Sequence, residues 1–135
     1  MARISISTDK KTVKPEEVAA LYVLLGWGTS HYYSAQRMKR SLEHCSIVVS
    51  ARNEDGDLIG IMRGMSDFAI DTKIFDMVID PDYQRSGIGS AMMKKMEALA
   101  KGTSIYLETE KVNFPFVAKH GYKKRNGLTM FVKRI

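Results

Sequence analysis

The chain has 135 residues, 44% of them hydrophobic and 27% charged, enough for one globular domain with a real core and too little for two. No apolar run approaches the roughly 20 residues a membrane span needs, and the opening "MARISISTDKK" has no apolar signal core, so a cytoplasmic protein with no membrane partner is expected. The formal net charge of +6 suits an anionic partner without choosing between nucleic acid, an acidic surface and a phosphorylated small molecule.

In chain order, "ARISIST" alternates and reads as a first strand. "KPEEVAALYVLLGWG" reads as a helix. Pro15, Glu16 and Glu17 suit its first turn, Gly26 its stop, and Val18, Leu21, Tyr22 and Leu25 share one face. "WGTSHYY" is a polar and aromatic loop. "SAQRMKRSLEHC" is a second helix, with Ala35, Met38 and Leu42 on one side. Cys45, the single cysteine, can form no internal disulfide, no Cys/His cluster offers a metal site, and it reads as a small buried hydrophobe.

"SIVVSAR" and "LIGIMRGM" flank Asp55-Gly56, a dipeptide suited to the positive-φ turn of a hairpin. "TKIFDMVID" is almost continuously apolar and reads as a central strand. From Ile88, the residues Met92, Met93, Met96, Leu99 and Ala100 recur at helical spacing until Gly102. "SIYLETE" is a further strand, "VNFPFVAKHGY" a short helix ended by Gly121, and "LTMFVKR" a last strand. No linker or repeat interrupts this order. The expectation is a single mixed α/β (α+β) domain over residues 1–135, with a mostly antiparallel sheet and a β-α-β crossover in its second half.

Between "MVID" and the helix at Ile88 stands "PDYQRSGIGS". Glycines let a backbone approach an anion, and the first turn of a helix presents unpaired N–H groups and a partial positive charge. A strand feeding such a turn is a seat for pyrophosphate. Gln84 and Arg85 add donors at its rim, and Ser90 adds a hydroxyl. The stretch lacks the third glycine of a dinucleotide fingerprint and the Gly-Lys-Ser/Thr of a P-loop.

"MVIDPDYQRSGIGSAMMKKM" resembles motif A of the GNAT family of N-acetyltransferases: an apolar strand, V-x-P-x-Y/W, then Q/R-x-x-G-x-G/A and an amphipathic helix. The order of elements over nearly the whole chain fits as well. The resemblance implies a sheet splayed beside the motif strand and acetyl-CoA as the acetyl donor. It places the donor's pyrophosphate mostly on backbone N–H groups of Arg85, Ser86, Gly87, Ile88, Gly89 and Ser90, with Gln84 as a further donor at the rim. The pantetheine arm would pair near Met77, Val78 and Ile79, and Asn113 would contact the donor.

Transfer to a primary amine needs a base, because an amine of pKa about 10 is protonated at neutral pH. Asp76, inside an apolar strand, and Glu108 match acidic positions of the family and compete for this role, with Asp67 at the end of the hairpin strand a third candidate. Arg63 and Asp67 resemble an R-x-x-S-D element near the acceptor pocket, and Trp27, His31, Tyr32 and Tyr33 lie in the loop that lines the acceptor side in the family. The family's usual tyrosine acid falls here on Val117, which can donate no proton. His120 and Tyr122 stand close by in sequence and read first as structural. A thiolate leaving group of pKa about 8.5 can depart unassisted.

The expected function is acetyl-CoA-dependent acetylation of a small-molecule or peptide amine, with no metal. A homodimer is an assembly the resemblance allows. The alternative is an acyl-CoA-binding sensor without turnover, which Val117 keeps open. A nucleic-acid binder is disfavoured, because the basic residues are scattered and form no known motif.

Overall fold

The computed structural model describes residues 3–134. Five strands, β1 (Ser5–Ser7), β2 (Ile47–Arg52), β3 (Leu58–Ser66), β4 (Asp71–Ile79) and β5 (Ser104–Tyr106), form one sheet in the order β1-β2-β3-β4-β5. The first four are antiparallel in succession, and β4 and β5 are parallel. Helices α1 (Pro15–Leu24) and α2 (Ala35–His44) pack on one face and α3 (Ile88–Leu99) on the other. A short α4 (Phe114–Lys119) follows β5. No helix among the described residues is long and apolar enough to cross a membrane.

Local chemistry explains most element ends. Glu17 accepts the Lys14 N–H at 2.9 Å and so caps the start of α1. Gly26, at φ 74, lets the chain turn left-handed, so that Gly26 N–H reaches the Val23 carbonyl and Trp27 N–H the Tyr22 carbonyl, a glycine-dependent helix stop. Ser34 accepts the Arg37 N–H and opens α2. In the β2–β3 turn Gly56 adopts φ 83, and the Asn53 side chain accepts the N–H groups of Asp55 and Asp57.

The sheet divides the core. Val48, Ile61 and Val78 face α1 and α2, joined by Val18, Leu21, Tyr22, Met38 and Leu42. Ile47, Val49, Met62 and Ile74 face the methionine side of α3. Cys45 is buried in the first cluster, and burial pushes its thiol up from the ordinary value, as befits a packing residue.

Two expected strands differ from the structure. The strand read from "SIYLETE" stops at Tyr106, and residues 107–110 leave the sheet. The last strand expected from "LTMFVKR" does not form: residues 128–134 have no regular secondary structure, and Phe131 is 92% exposed. Its alternating pattern satisfies β propensity, but a strand exists only where a ladder receives it, and β5 is too short to offer one. The strand expected to be central, β4, lies next to the edge.

Candidate active site

Strand β4 carries the site, because it holds a partner on only part of its outer side. Its ladder with β5 runs from Asp71–Ser104 to Lys73–Tyr106 and stops. Beyond Lys73, β4 continues to Ile79 beside β3 alone. The backbone of Met77, Val78 and Ile79 therefore borders an open wedge on the side away from β3, as the expected splay requires.

At the end of β4 the chain passes through a short turn, Pro81–Tyr83, opened by Asp80 accepting the Asp82 N–H. Arg85 (φ 62) and Gly87 (φ 86) are both left-handed and Ser86 between them is not. Backbone that alternates in hand turns successive N–H groups toward one side, the geometry of anion-binding concavities. A non-glycine residue held left-handed costs roughly 1 kcal/mol or more, which marks Arg85 as a strained position in this loop. Gly87 is the N-cap of α3, and no side chain caps the helix, so the first N–H groups of α3 have no intrahelical partner. Gly89 lies close to the strand and to α4: a Cβ there would meet Ile79, Met77 and Phe116 at 3.4 Å.

Not every rim residue is a free donor. The Gln84 amide donates to the Ile79 carbonyl at 2.9 Å, and the Ser86 hydroxyl to the Tyr83 carbonyl at 2.5 Å. Both side chains hold the loop against the strand end. Tyr83 accepts from the Asn53 amide at 3.0 Å and ties the loop to the β2–β3 turn.

Asp76 sits at a β-bulge. Arg63 pairs with Asp76 and Met65 with Lys73, so β4 spends one extra residue between them. The bulge keeps Lys73 and Asp76 on the face shared with Arg63, α1 and α2, and leaves Phe75 half-exposed. Arg63 donates to Asp76 Oδ2 at 2.6 Å, through Nε to the Tyr22 hydroxyl at 2.8 Å, and to Ser41 Oγ at 2.6 Å. Tyr22 donates in turn to Asp76 Oδ1. The carboxylate is 5% exposed and both its oxygens are engaged. Burial and the neighbouring carboxylate push the Tyr22 hydroxyl far above its usual value. Burial opposes the Arg63 cation, but the hydrogen bond and charge of Asp76 prevail and hold Arg63 above its own usual value.

Glu108 follows β5 on the same face and forms an ion pair with Lys73 through Oε1. Its side chain is 53% exposed, only its Oε1 is engaged by Lys73, and it lies two residues beyond Tyr106, where the ladder with β4 ends. Asp67 lies at the other end of β4, where Oδ1 accepts the N–H groups of Ala69, Ile70 and Asp71 and closes the β3–β4 turn. Those hydrogen bonds, Ile70 first, hold its carboxyl below the ordinary value. The structure thus joins Arg63 to Asp76 and leaves Asp67 apart.

In the aromatic loop, Tyr33 stacks on Tyr22 with ring centroids 4.7 Å apart, and Tyr32 and Trp27 meet this pair edge-on. Trp27 and Tyr32 are about half exposed, while His31 is exposed and joins neither ring. Val117 lies within α4. Tyr122 donates to Met93 Sδ at 3.6 Å on α3, and His120 lies against Ser90 at 3.0 Å. Asn113 donates to Thr109 at 3.1 Å.

Sequence reasoning missed Tyr22 and Ser41 as polar partners and Lys73 as the partner of Glu108. A tyrosine on an otherwise apolar helix face carried a usable signal, since a buried phenol needs a hydrogen-bond partner.

The family model of the acetyltransferase (GNAT) family matches residues 13–122. Among curated proteins, histone acetyltransferase TAP1 of Glycine max is 43% identical over 47 residues, 35% of this chain and 20% of that protein. An uncharacterized N-acetyltransferase of Porphyra purpurea is 26% identical over 115 residues, 79% of this chain and 64% of that one. The chain thus spans less than two thirds of the length of these relatives. A solved GNAT family acetyltransferase of Streptococcus pneumoniae superposes with a TM-score of 0.79 at 25% identity and covers 100% of both chains. With the splayed strand and the uncapped loop that precedes α3, these matches show that the chain belongs to the GNAT acetyltransferase family.

Proposed function

We propose that the chain is an acetyl-CoA-dependent N-acetyltransferase acting on a primary amine by direct attack on the thioester. The observation that carries this reading is the open wedge beside β4 leading into a left-handed, uncapped loop. Acetyl-CoA supplies the acetyl group as a thioester. The N–H groups of Arg85, Ser86, Gly87, Ile88, Gly89 and Ser90 would hold its pyrophosphate, and the backbone of Met77, Val78 and Ile79 its pantetheine arm. An N–H there would also receive the carbonyl oxygen as it gains charge.

Glu108 is the better general base of the two carboxylates. It keeps one oxygen free just beyond the end of the β4–β5 ladder, whereas Asp76 offers none. Glu108 would take the ammonium proton, directly or through water. The amine nitrogen then bonds to the acetyl carbon, the C–S bond breaks with its electron pair on sulfur, the nitrogen releases its second proton to solvent to leave the neutral amide, and the thiolate takes up a proton from solvent. Asp76 and Arg63 would fix the acceptor side by holding α1, α2, β3 and β4 together. Trp27, Tyr32 and Tyr33 would form the wall for a small-molecule or peptide amine.

The second reading, an acyl-CoA sensor without turnover, draws on Val117 and on the turning of Tyr122 toward Met93. Release of free CoA, followed with a thiol reagent across a panel of amines, separates the two. The transferase reading predicts amine-dependent CoA release. Tight CoA binding with no release from any amine would favour the sensor.

A further inference from the structure

Glu97 and His120, two side chains that the acetyl-transfer reading does not use, form a polar chain with Ser90 beside the donor loop. Ser90 and Glu97 lie two turns apart on α3, so they project from one face. His120 follows the last turn of α4 and stands between them. Its Nε2 is 3.0 Å from Ser90 Oγ, and its Nδ1 is 3.8 Å from Glu97 Oε1. The imidazole is 8% exposed, and the Phe116 ring covers it at 5.0 Å between centroids. The other ionisable groups here are Tyr122 and Lys119. Burial and Glu97 raise the Tyr122 hydroxyl to about 12, so it stays neutral. Lys119 stands over the outer ring, Phe116, at 5.7 Å.

Two arrangements of protons satisfy this chain. With a neutral ring, Nδ1–H points at Glu97 and Nε2 accepts the Ser90 hydroxyl proton. Ser90 then offers only lone pairs to its surroundings. With a doubly protonated ring, Nδ1–H still faces Glu97, Nε2–H donates to Ser90 Oγ, and the hydroxyl proton is free to point elsewhere. Ser90 belongs to the first turn of α3, where an arriving phosphate oxygen needs donors. A bound anion and the Glu97 carboxylate both favour the second arrangement.

We propose that His120 is a positioning residue of the donor site, which takes up a proton as the donor's pyrophosphate binds and thereby turns the Ser90 hydroxyl toward it. The inference rests on the reading of the α3 start as the pyrophosphate seat. No bond other than those to hydrogen changes: the ring gains one proton from solvent at Nε2, and Ser90 keeps its own.

The test is calorimetric titration with CoA at one pH in two buffers of different ionisation enthalpy, repeated from about pH 5 to about pH 8, the range in which imidazoles change charge. His120→Gln keeps a donor to Ser90 but cannot take up the proton. Wild type should take up more protons per CoA bound than His120→Gln. It should bind about fivefold tighter at the low end of the range, with the gap closing at the high end. Ser90→Ala should lose the same gap. If His120→Gln fails to fold, as judged by circular dichroism, Glu97→Gln serves: it should lower the proton uptake of an otherwise wild-type site. Equal proton uptake and parallel pH profiles in wild type and variants would overturn the role of His120. Absence of CoA binding by wild type at every pH would instead overturn the donor seat itself.

Discussion

Arg63 is where α1, α2, β3 and β4 meet, and its partners decide what Asp76 can do. A carboxylate whose oxygens are both engaged and which is 5% exposed serves first to neutralise a buried cation. Asp76→Asn keeps the shape but leaves Arg63 without its counter-charge, and should destabilise the fold by about 3 kcal/mol or more, read as a lower urea midpoint. If Asp76 were instead a base with an idle oxygen, the variant would keep its stability and lose only turnover. Glu108→Gln should do the reverse, lowering kcat roughly a hundredfold while unfolding and CoA affinity stay near wild type. Glu17 gives a pH prediction. The hydrogen bond from Arg52, opposed by burial and reinforced by the Lys14 N–H and the Arg52 charge, leaves its carboxyl below the ordinary 4.5. A depressed carboxyl contributes stability that is present above the unfolded-state value and is lost as pH falls through the folded one. Glu17→Gln should therefore cost about 1 kcal/mol at neutral pH, discounted for exposure, and the difference from wild type should vanish in acid.

At the scale of elements, the β4 bulge and the short β5 open the wedge. Gly64 stands opposite the bulge, and a Cβ there would lie 2.9 Å from the Lys73 carbonyl oxygen. That atom is backbone and cannot swing away, so Gly64→Ala should lower Tm by several degrees and disturb the β3–β4 register, visible as faster amide exchange along β4. The helices and the β2–β3 turn were legible in the sequence because their signals are local: Ser34, Gly26 and Asp55-Gly56 act within a few residues. The bulge was not legible, because it depends on which residue of β3 faces which residue of β4. The ends of the later strands were misread for a related reason. "SIYLETE" and "LTMFVKR" have strand composition, but a ladder needs a neighbour of matching length. The turn before α3 was legible as a glycine turn opening a helix at Ile88, since glycine spacing is a sequence property, but the left-handed Arg85 was not. The Arg63–Asp76–Tyr22 and Ser90–His120–Glu97 clusters were not, because each joins residues far apart in the chain.

At the scale of the molecule, the sheet separates two tasks. Its α1–α2 face carries Arg63, Asp76, Lys73 and the aromatic loop, and its other face rests on α3, whose first turn faces the proposed donor. The net charge of +6 should assist encounter with a polyanionic donor, so CoA affinity should fall as salt rises. The central claim is that the loop before α3 seats the donor's pyrophosphate, and calorimetric titration of CoA into wild type and Gly87→Val tests it most directly. Gly87 adopts φ 86, and a Cβ there would meet no atom within 4 Å; valine therefore strains the loop backbone by roughly 1–2 kcal/mol without striking the core. The account predicts saturable binding to wild type and at least tenfold weaker binding to a Gly87→Val variant that still unfolds cooperatively. Equal affinity in the two proteins would contradict it.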